Sequence, residues 1–298
     1  MKLFDVVFED GELLVVNKPA GLVCHPTKTD AYSSLISRVR LHLGEATAPQ
    51  MVNRLDRETS GLVLVAKTPE AARALRRTWE RRHVHKEYLA IVHGHLALDA
   101  GTIEAPLGKD EQSRVAIKDC VRSDGAASRT DFQVVRRFSR PIGARDTPEP
   151  EPEPEPESES ESESESESES ESESESESES ESESEVGPGS RSRARAENNL
   201  FTELLLIPHT GRKHQIRIHL AHLGHPIVGD KLYGSDEDLY LALVENRLTE
   251  AHRRQLLTPH HALHASRLAF AWHGAPVEFT APPEPWFQDF CSSDPKTT

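Results

Sequence analysis

The chain has 298 residues, enough for one large domain or two ordinary ones, and a formal charge of −15 at pH 7. Nineteen glutamates occupy alternate positions from Glu149 to Glu185, interleaved first with Pro and then with Ser, and without them the rest of the chain carries +4. The overall pI near 5.5 therefore does not argue against a polyanionic partner, because charge per region is what sets affinity.

The Glu/Pro/Ser run has no apolar surface to bury and is expected to be disordered and solvated. Cys24, Cys120 and Cys291 are too far apart in sequence to suggest a disulfide framework or a zinc site. The N-terminal residues lack the apolar core of a signal peptide, and no run approaches the ~18 apolar residues of a membrane span. The expectation is a cytoplasmic protein with neither membrane nor metal partner.

In chain order, residues 12–17 (ELLVVN) form an apolar run closed by Lys18-Pro19-Ala20-Gly21, which reads as a strand entering a tight turn. Helical spacing of apolar residues follows over 33–43. Asn53-Arg54-Leu55-Asp56 leads into the buried strand 62–66 (LVLVA), and residues 69–82 have the Pro start and Ala/Leu/Arg content of a helix. Residues 88–93 (YLAIVH), 131–138 and 200–207 read as strands, 211–223 as a helix, and 262–271 with 276–280 as closing strands. The mixture lacks the regular alternation of a doubly wound sheet and predicts an α+β domain on a mixed, mainly antiparallel sheet flanked by helices. Residues 1–145 and 199–285 are expected to be two parts of one catalytic domain, interrupted by an insertion at 146–198 and followed by a C-terminal tail from 286 to 298. A long insertion between two strands costs little, since closure entropy grows only with the logarithm of length.

Three segments carry candidate chemistry. Asp56 lies in a loop at the end of a buried strand, which positions a carboxylate while leaving it accessible, although an Asp in such a loop is by itself more often a turn residue. Tyr88 enters an apolar strand, where a tyrosine is usually core. The third segment is His209-Thr210-Gly211-Arg212-Lys213-His214-Gln215-Ile216-Arg217, whose cationic and amide groups at a helix start suit a phosphate or a carboxylate, or else form a solvated basic face. His214, His219, His222 and His225 have no carboxylate or Cys that completes a recognisable ligand set, so no metal is assigned to them. His260, His261 and His264, in a closing strand, are expected to serve structure or contacts with a partner.

Taken together, NKPAGLVCHP, NRLDRETSGLVLVAKT, KEYLAIVHG, HTGRKHQIRIHLAHLGHPIVGDKLYG and HHALHASRLAF resemble, in order and spacing, the RluA-type family of RNA pseudouridine synthases. That resemblance implies the pseudouridine synthase fold and isomerisation of specific uridines in tRNA or rRNA. It implies Asp56 as the catalytic carboxylate, Tyr88 as the residue packing on the target base, and Arg217 as the partner of the carboxylate. It also implies Arg54, with Arg212, Lys213 and His214, at the RNA. The reaction involves no redox change or energy input, so no cofactor is expected, and a monomer is expected. Most relatives have His where this chain has Asn53, so an amide must do what that ring does in orienting the loop. The chain begins at the catalytic region without the small N-terminal domain of some relatives, which points to a compact target such as a tRNA stem-loop ahead of ribosomal RNA. A non-catalytic RNA-binding or assembly factor on the same fold is the rival reading, and the presence of Asp56, Tyr88 and Arg217 together weighs against it.

A polyanion tethered to a basic groove competes with RNA through effective concentration. Deleting residues 149–185 should therefore tighten RNA binding, most at low salt; equal affinity of both forms across a salt titration would contradict this.

Overall fold

A computed structural model describes residues 4–26, 33–44, 47–141, 198–234 and 236–292. The Glu/Pro/Ser run lies outside the described residues. Residues 1–140 and 198–298 belong to one compact unit.

Its elements in chain order begin with β1 (Asp5–Glu9), β2 (Leu13–Lys18), α1 (Leu35–Leu43), β3 (Gln50–Met51), β4 (Ser60–Ala66), α2 (Pro69–Glu80) and β5 (Val84–His93). There follow β6 (Ala100–Glu104), β7 (Leu107–Lys109), β8 (Asp119–Val121), β9 (Arg129–Pro141), β10 (Asn198–Pro208) and α3 (Gln215–His222). The chain closes with α4 (Asp238–Val244), α5 (Glu250–Leu256), β11 (Leu263–Trp272), β12 (Ala275–Thr280) and α6 (Pro285–Cys291).

The main sheet runs β1-β2-β4-β11-β5-β10-β9-β6, with β12 on β11 and β3 on β4; β7 and β8 pair separately. β4 and β11 are parallel, with Ser60 opposite His264 and Gly61 opposite Ala265. β2–β4, β5–β11 and β5–β10 are antiparallel. This is the α+β arrangement that the sequence predicts, and β9 and β10, which flank the acidic run in sequence, are neighbours in the sheet.

The apolar runs of β2 and β4 are continuous because both faces are covered. Leu13, Val15, Leu62 and Leu64 pack with Ala71, Ala72 and Leu75 of α2. Leu14, Val16, Val63 and Val65 pack with Leu35 and Val39 of α1. Full burial of each such Leu or Val contributes about 1.5–3 kcal/mol, so these strands form a rigid base. Both helices start on hydroxyl caps: Ser37 N–H donates to Ser34 Oγ, and Ala71 N–H to Thr68 Oγ1, with Pro69 completing the second start.

Two expectations need correction. The segment from 286, expected as a tail, opens within α6, whose Phe287, Phe290 and Cys291 join the core formed by β5, β10 and α3. The helix expected from Gly211 starts only at Gln215, after His214 in the left-handed region (φ 54). Residues 209–214 are held instead as a turn by the side chain of Gln215, whose amide donates to Arg129 O (2.9 Å) and Thr130 Oγ1 (3.0 Å) and whose carbonyl accepts from Thr210 Oγ1 (2.6 Å). Leu223 is exposed at 39%, whereas Ile218 is buried with Leu232 and Tyr233.

Gly61 is where the Asp56 loop enters β4, and its φ of +112 is one that L side chains rarely adopt. A Cβ there would lie 2.3 Å from Ala265 O and 2.5 Å from Ala265 N, backbone atoms of the parallel neighbour. Gly61→Ala should cost at least about 2 kcal/mol of unfolding free energy, whereas Gly211→Ala, with nothing within 4 Å of the added carbon, should stay within about 0.5 kcal/mol. Urea denaturation of the two variants checks this, and equal midpoints would overturn it.

Candidate active site

Asp56 stands in the loop between β3 and β4, and that loop is pinned from several sides. Asn53 holds its start on β4: Leu64 N–H donates to Asn53 Oδ1 (2.8 Å), and Asn53 Nδ2 donates to Leu62 O (3.2 Å). The amide that replaces the expected imidazole thus bridges loop and strand with both of its polar atoms. Leu55 N–H donates to Cys24 Sγ (3.4 Å), and the thiol lies at the same distance from Leu55 O.

Lys18, fully buried at the end of β2, donates to Pro19 O (2.9 Å), Leu22 O (2.8 Å) and Arg57 O (3.1 Å). All three ammonium protons are thereby matched, and one of them anchors the residue after Asp56. Burial brings the Lys18 pKa down to about 8, against the opposing charges of Cys24, Glu284, Asp56 and Glu58. Glu58 pairs with Lys231 at 2.8 Å. Burial alone would raise Glu58, but the nearby imidazoles of His260 (3.7 Å) and His261 and the charge of Lys231 bring it down to about 2.

Arg217, on the first turn of α3, reaches Asp56 with one terminal nitrogen, 3.0 Å from Oδ2. Its other two nitrogens form a fork on Asp230, Nε to Oδ2 at 2.7 Å and the second terminal nitrogen to Oδ1 at 2.8 Å. Asp230 in turn accepts from the backbone N–H groups of Leu232 (2.9 Å) and Tyr233 (3.0 Å). The guanidinium lies 5.0 Å from the centre of the Tyr233 ring. Exposure falls along this row, from a side chain 30% exposed at Asp56 to 8% at Arg217 and 0% at Asp230. One end faces the pocket and the other is sealed in the domain.

The electrostatics follow. Burial would raise the Asp56 pKa, but Arg217, then His214 and His261, outweigh it and hold the carboxyl below its usual value. Asp56 is therefore ionised at neutral pH. His214 Nε2 is 3.8 Å from Asp56 Oδ2, and its Nδ1 is 2.8 Å from the Tyr233 hydroxyl. That hydroxyl accepts from Asp119 N–H (3.2 Å), which leaves its own proton for Nδ1 and directs the Nε2 proton of the imidazole toward Asp56. Burial outweighs the charge of Asp56 and keeps His214 below its usual pKa, so the ring is neutral at pH 7. Tyr88, half-buried on β5, is raised to about 12 by burial and by the charge of Asp56. It is a neutral phenol throughout the physiological range.

Asp56, Tyr88, Arg217, Arg54, Arg212, Lys213 and His214 all line one pocket of about 550 Å³. The structure thus brings together every site residue named from the sequence, with differences in detail. Arg54 and Arg212 are exposed at its mouth. Lys213 is engaged by Asp119 at 3.0 Å, and His214 sits against Asp56 rather than out on the surface. His219 is buried among Ser128, Thr130 and Ala105 O, and His264 bridges Ser60 Oγ and Ala281 O. Among the described residues no group of three or more His, Cys, Asp or Glu is arranged to hold a metal. Asp230, Tyr233, Lys18 and Glu58 were not named from the sequence. The signal for the first two is the segment Gly229-Asp230-Lys231-Leu232-Tyr233, an Asp followed two and three residues on by the amides it caps.

Fold and site together place a carboxylate that an arginine keeps ionised in an open pocket of an α+β domain. The family model described as RNA pseudouridylate synthase matches residues 12–222. The dual-specificity RNA pseudouridine synthase RluA of Vibrio parahaemolyticus is 30% identical over 293 residues, covering 98% of this chain and 90% of that one. The ribosomal large subunit pseudouridine synthase D of Xanthomonas campestris is 31% identical over 285 residues, covering 93% and 65% of the two chains. Human RNA Pseudouridylate Synthase Domain Containing 1 shares the fold, with a TM-score of 0.61 at 22% identity, over 95% of this chain and 85% of that one. The chain belongs to the RluA-type RNA pseudouridine synthase family, whose members are isomerases.

Asp230→Asn keeps the charge of Arg217 but removes the carboxylate from its fork. It should lower kcat/KM by about tenfold or more through mispositioning and lower unfolding free energy by roughly 3 kcal/mol. Turnover and urea midpoints together check this, and a variant indistinguishable from wild type in both would show that Arg217 is positioned by other contacts.

Proposed function

We propose that the chain isomerises specific uridines of tRNA or ribosomal RNA to pseudouridine, with Asp56 as the catalytic carboxylate, Tyr88 against the target base and Arg217 as the partner of Asp56. The observation that carries this reading is the 3.0 Å pair between Arg217 and the part-exposed Asp56, in a pocket that Tyr88 also lines. The likeness to a ribosomal large subunit enzyme supports ribosomal RNA. The likeness to a dual-specificity enzyme supports a second class of RNA, for which we propose tRNA.

The reaction breaks the bond between ribose C1′ and uracil N1, turns the detached base, and forms a bond from C1′ to C5. The hydrogen at C5 leaves and N1 gains one, so atoms balance without an external reagent. The target base must first leave its stack to enter the pocket, and in this reading Arg54, at the mouth, fills the gap and contacts phosphate. An ionised Asp56 serves either route open to a carboxylate, attack on the sugar or base, or removal of a ribose proton. The neutral phenol of Tyr88 offers a face to hold the free uracil and an O–H to move its proton.

The test uses tRNA and ribosomal RNA fragments carrying tritium at uracil C5. Tritium release by the full chain that disappears in Asp56→Ala is the expected result and names the RNA class. Release that persists in Asp56→Ala would remove Asp56 from the chemistry, and no release from any RNA would favour a non-catalytic RNA-binding role.

A further inference from the structure

Many cations on the domain surface are neutralised locally. Arg73 pairs with Glu70, Arg114 with Asp238, Arg122 with Asp124, Arg136 with Glu203 and Lys118 with Glu237. Arg82, Lys86 and Arg212 have no carboxylate partner among the described residues, and unlike other such cations they converge on one groove. This second groove, of about 1400 Å³, lies between the end of α2, the turn before α3 and the β11–β12 hairpin.

This groove is continuous with the active-site pocket. The two share Trp79, Lys86 and the turn residues Pro208, Thr210, Gly211 and Arg212 as lining. Lys86 lies two residues before Tyr88 on the same face of β5, about 7 Å along the strand. It is half-buried, and both burial and the nearby charge of Arg82 work against its ammonium form. A cation withdrawn from water beside a like charge, with no carboxylate of its own, is a site for a mobile anion. The carboxylates on the groove are Glu80 and Glu278, of which Glu278 is already held by Arg267 at 2.7 Å. Of the three histidines on the groove, His85 is occupied by Glu87 and His209 by Asp131, while His83 is exposed. Half-buried Trp79, edge-on to Phe270 at 5.7 Å, gives the groove an aromatic wall suited to a base.

We propose that the RNA strand flanking the target uridine leaves the active site along this groove, with Arg82, Lys86 and Arg212 on its phosphates and Trp79 beside a base. This rests on RNA being the substrate. Continuity favours RNA over an acidic protein, because a strand that places one base beside Tyr88 must carry its next phosphates past the mouth of the same pocket.

The experiment measures the affinity of the full chain for a substrate stem-loop across a series of KCl concentrations. Each phosphate contact on single-stranded RNA contributes about 0.7 to the slope of log affinity against log salt. Arg82→Gln together with Lys86→Gln should reduce that slope by about 1.4. Arg82→Gln alone, at an exposed position, should reduce it by about 0.7. Arg73→Gln, on the same helix but paired to Glu70, should leave it unchanged. Wild-type slopes in the Arg82 variants, or the same loss in Arg73→Gln, would overturn the proposal. Unchanged RNA slopes with lost binding of a poly-glutamate peptide would assign the groove to an acidic protein. Tritium release by wild type, measured in parallel, separates this outcome from failure of the catalytic reading: binding with the reduced slopes but without release would sink the latter alone.

Discussion

The position of one guanidinium, Arg217 between two carboxylates, is the constraint on which the rest of the site depends. Its fork on Asp230 uses two nitrogens and its third meets Asp56. Burying such a group is costly unless its geometry is fully matched. Here the matching extends outward, from Asp230 to two backbone amides and from the face of the guanidinium to the Tyr233 ring. The triad carries a net negative charge beside neutral His214. The uncompensated cations around the pocket, Arg54, Arg212 and Lys86, offset that charge for an approaching polyanion.

Holding Asp56 against Arg217 requires two parts of the chain far apart in sequence to meet within a few tenths of an ångström. The sheet does most of this. β4 and β11 run parallel where the backbone of Ala265 presses on Gly61, and Ser60 and Thr59 are tied to His264 and His261 at 2.9 and 2.7 Å. Lys18 and the Glu58–Lys231 pair tie the loop on its remaining sides. A loop fixed this way presents its carboxylate with little reorganisation left for the moment of reaction.

Much of this was legible in the sequence, and the limits are physical. β2, β4 and the second half of β5 were plain because both faces of the central sheet are buried there and the runs are largely apolar. β1, exposed along its length, and the three-residue β7 and β8 leave too short or too mixed a pattern. α4 and α5, seven residues each, escape for the same reason. The start of α3 was misread because Gly211 and Arg212 suit either a helix or a turn, and the side chain of Gln215, bonded to β9, decides it. Asp56, Tyr88 and Arg217 were legible through family resemblance rather than local pattern. Asp230 and Lys18 act through side-chain geometry that no periodicity reveals.

If Arg217 is what keeps Asp56 ionised, its removal should reverse the balance between charge and burial. The most direct measurement is a carbon-13 NMR titration of the Asp56 carboxyl in the wild-type chain and in Arg217→Gln/Asp230→Asn, a pair of changes that leaves no orphaned carboxylate at 230. The wild-type titration should lie below the ordinary aspartate value, and in the double variant, where burial acts without the guanidinium, it should lie above that value. An Asp56 that titrates at the same pH in both proteins would contradict the account.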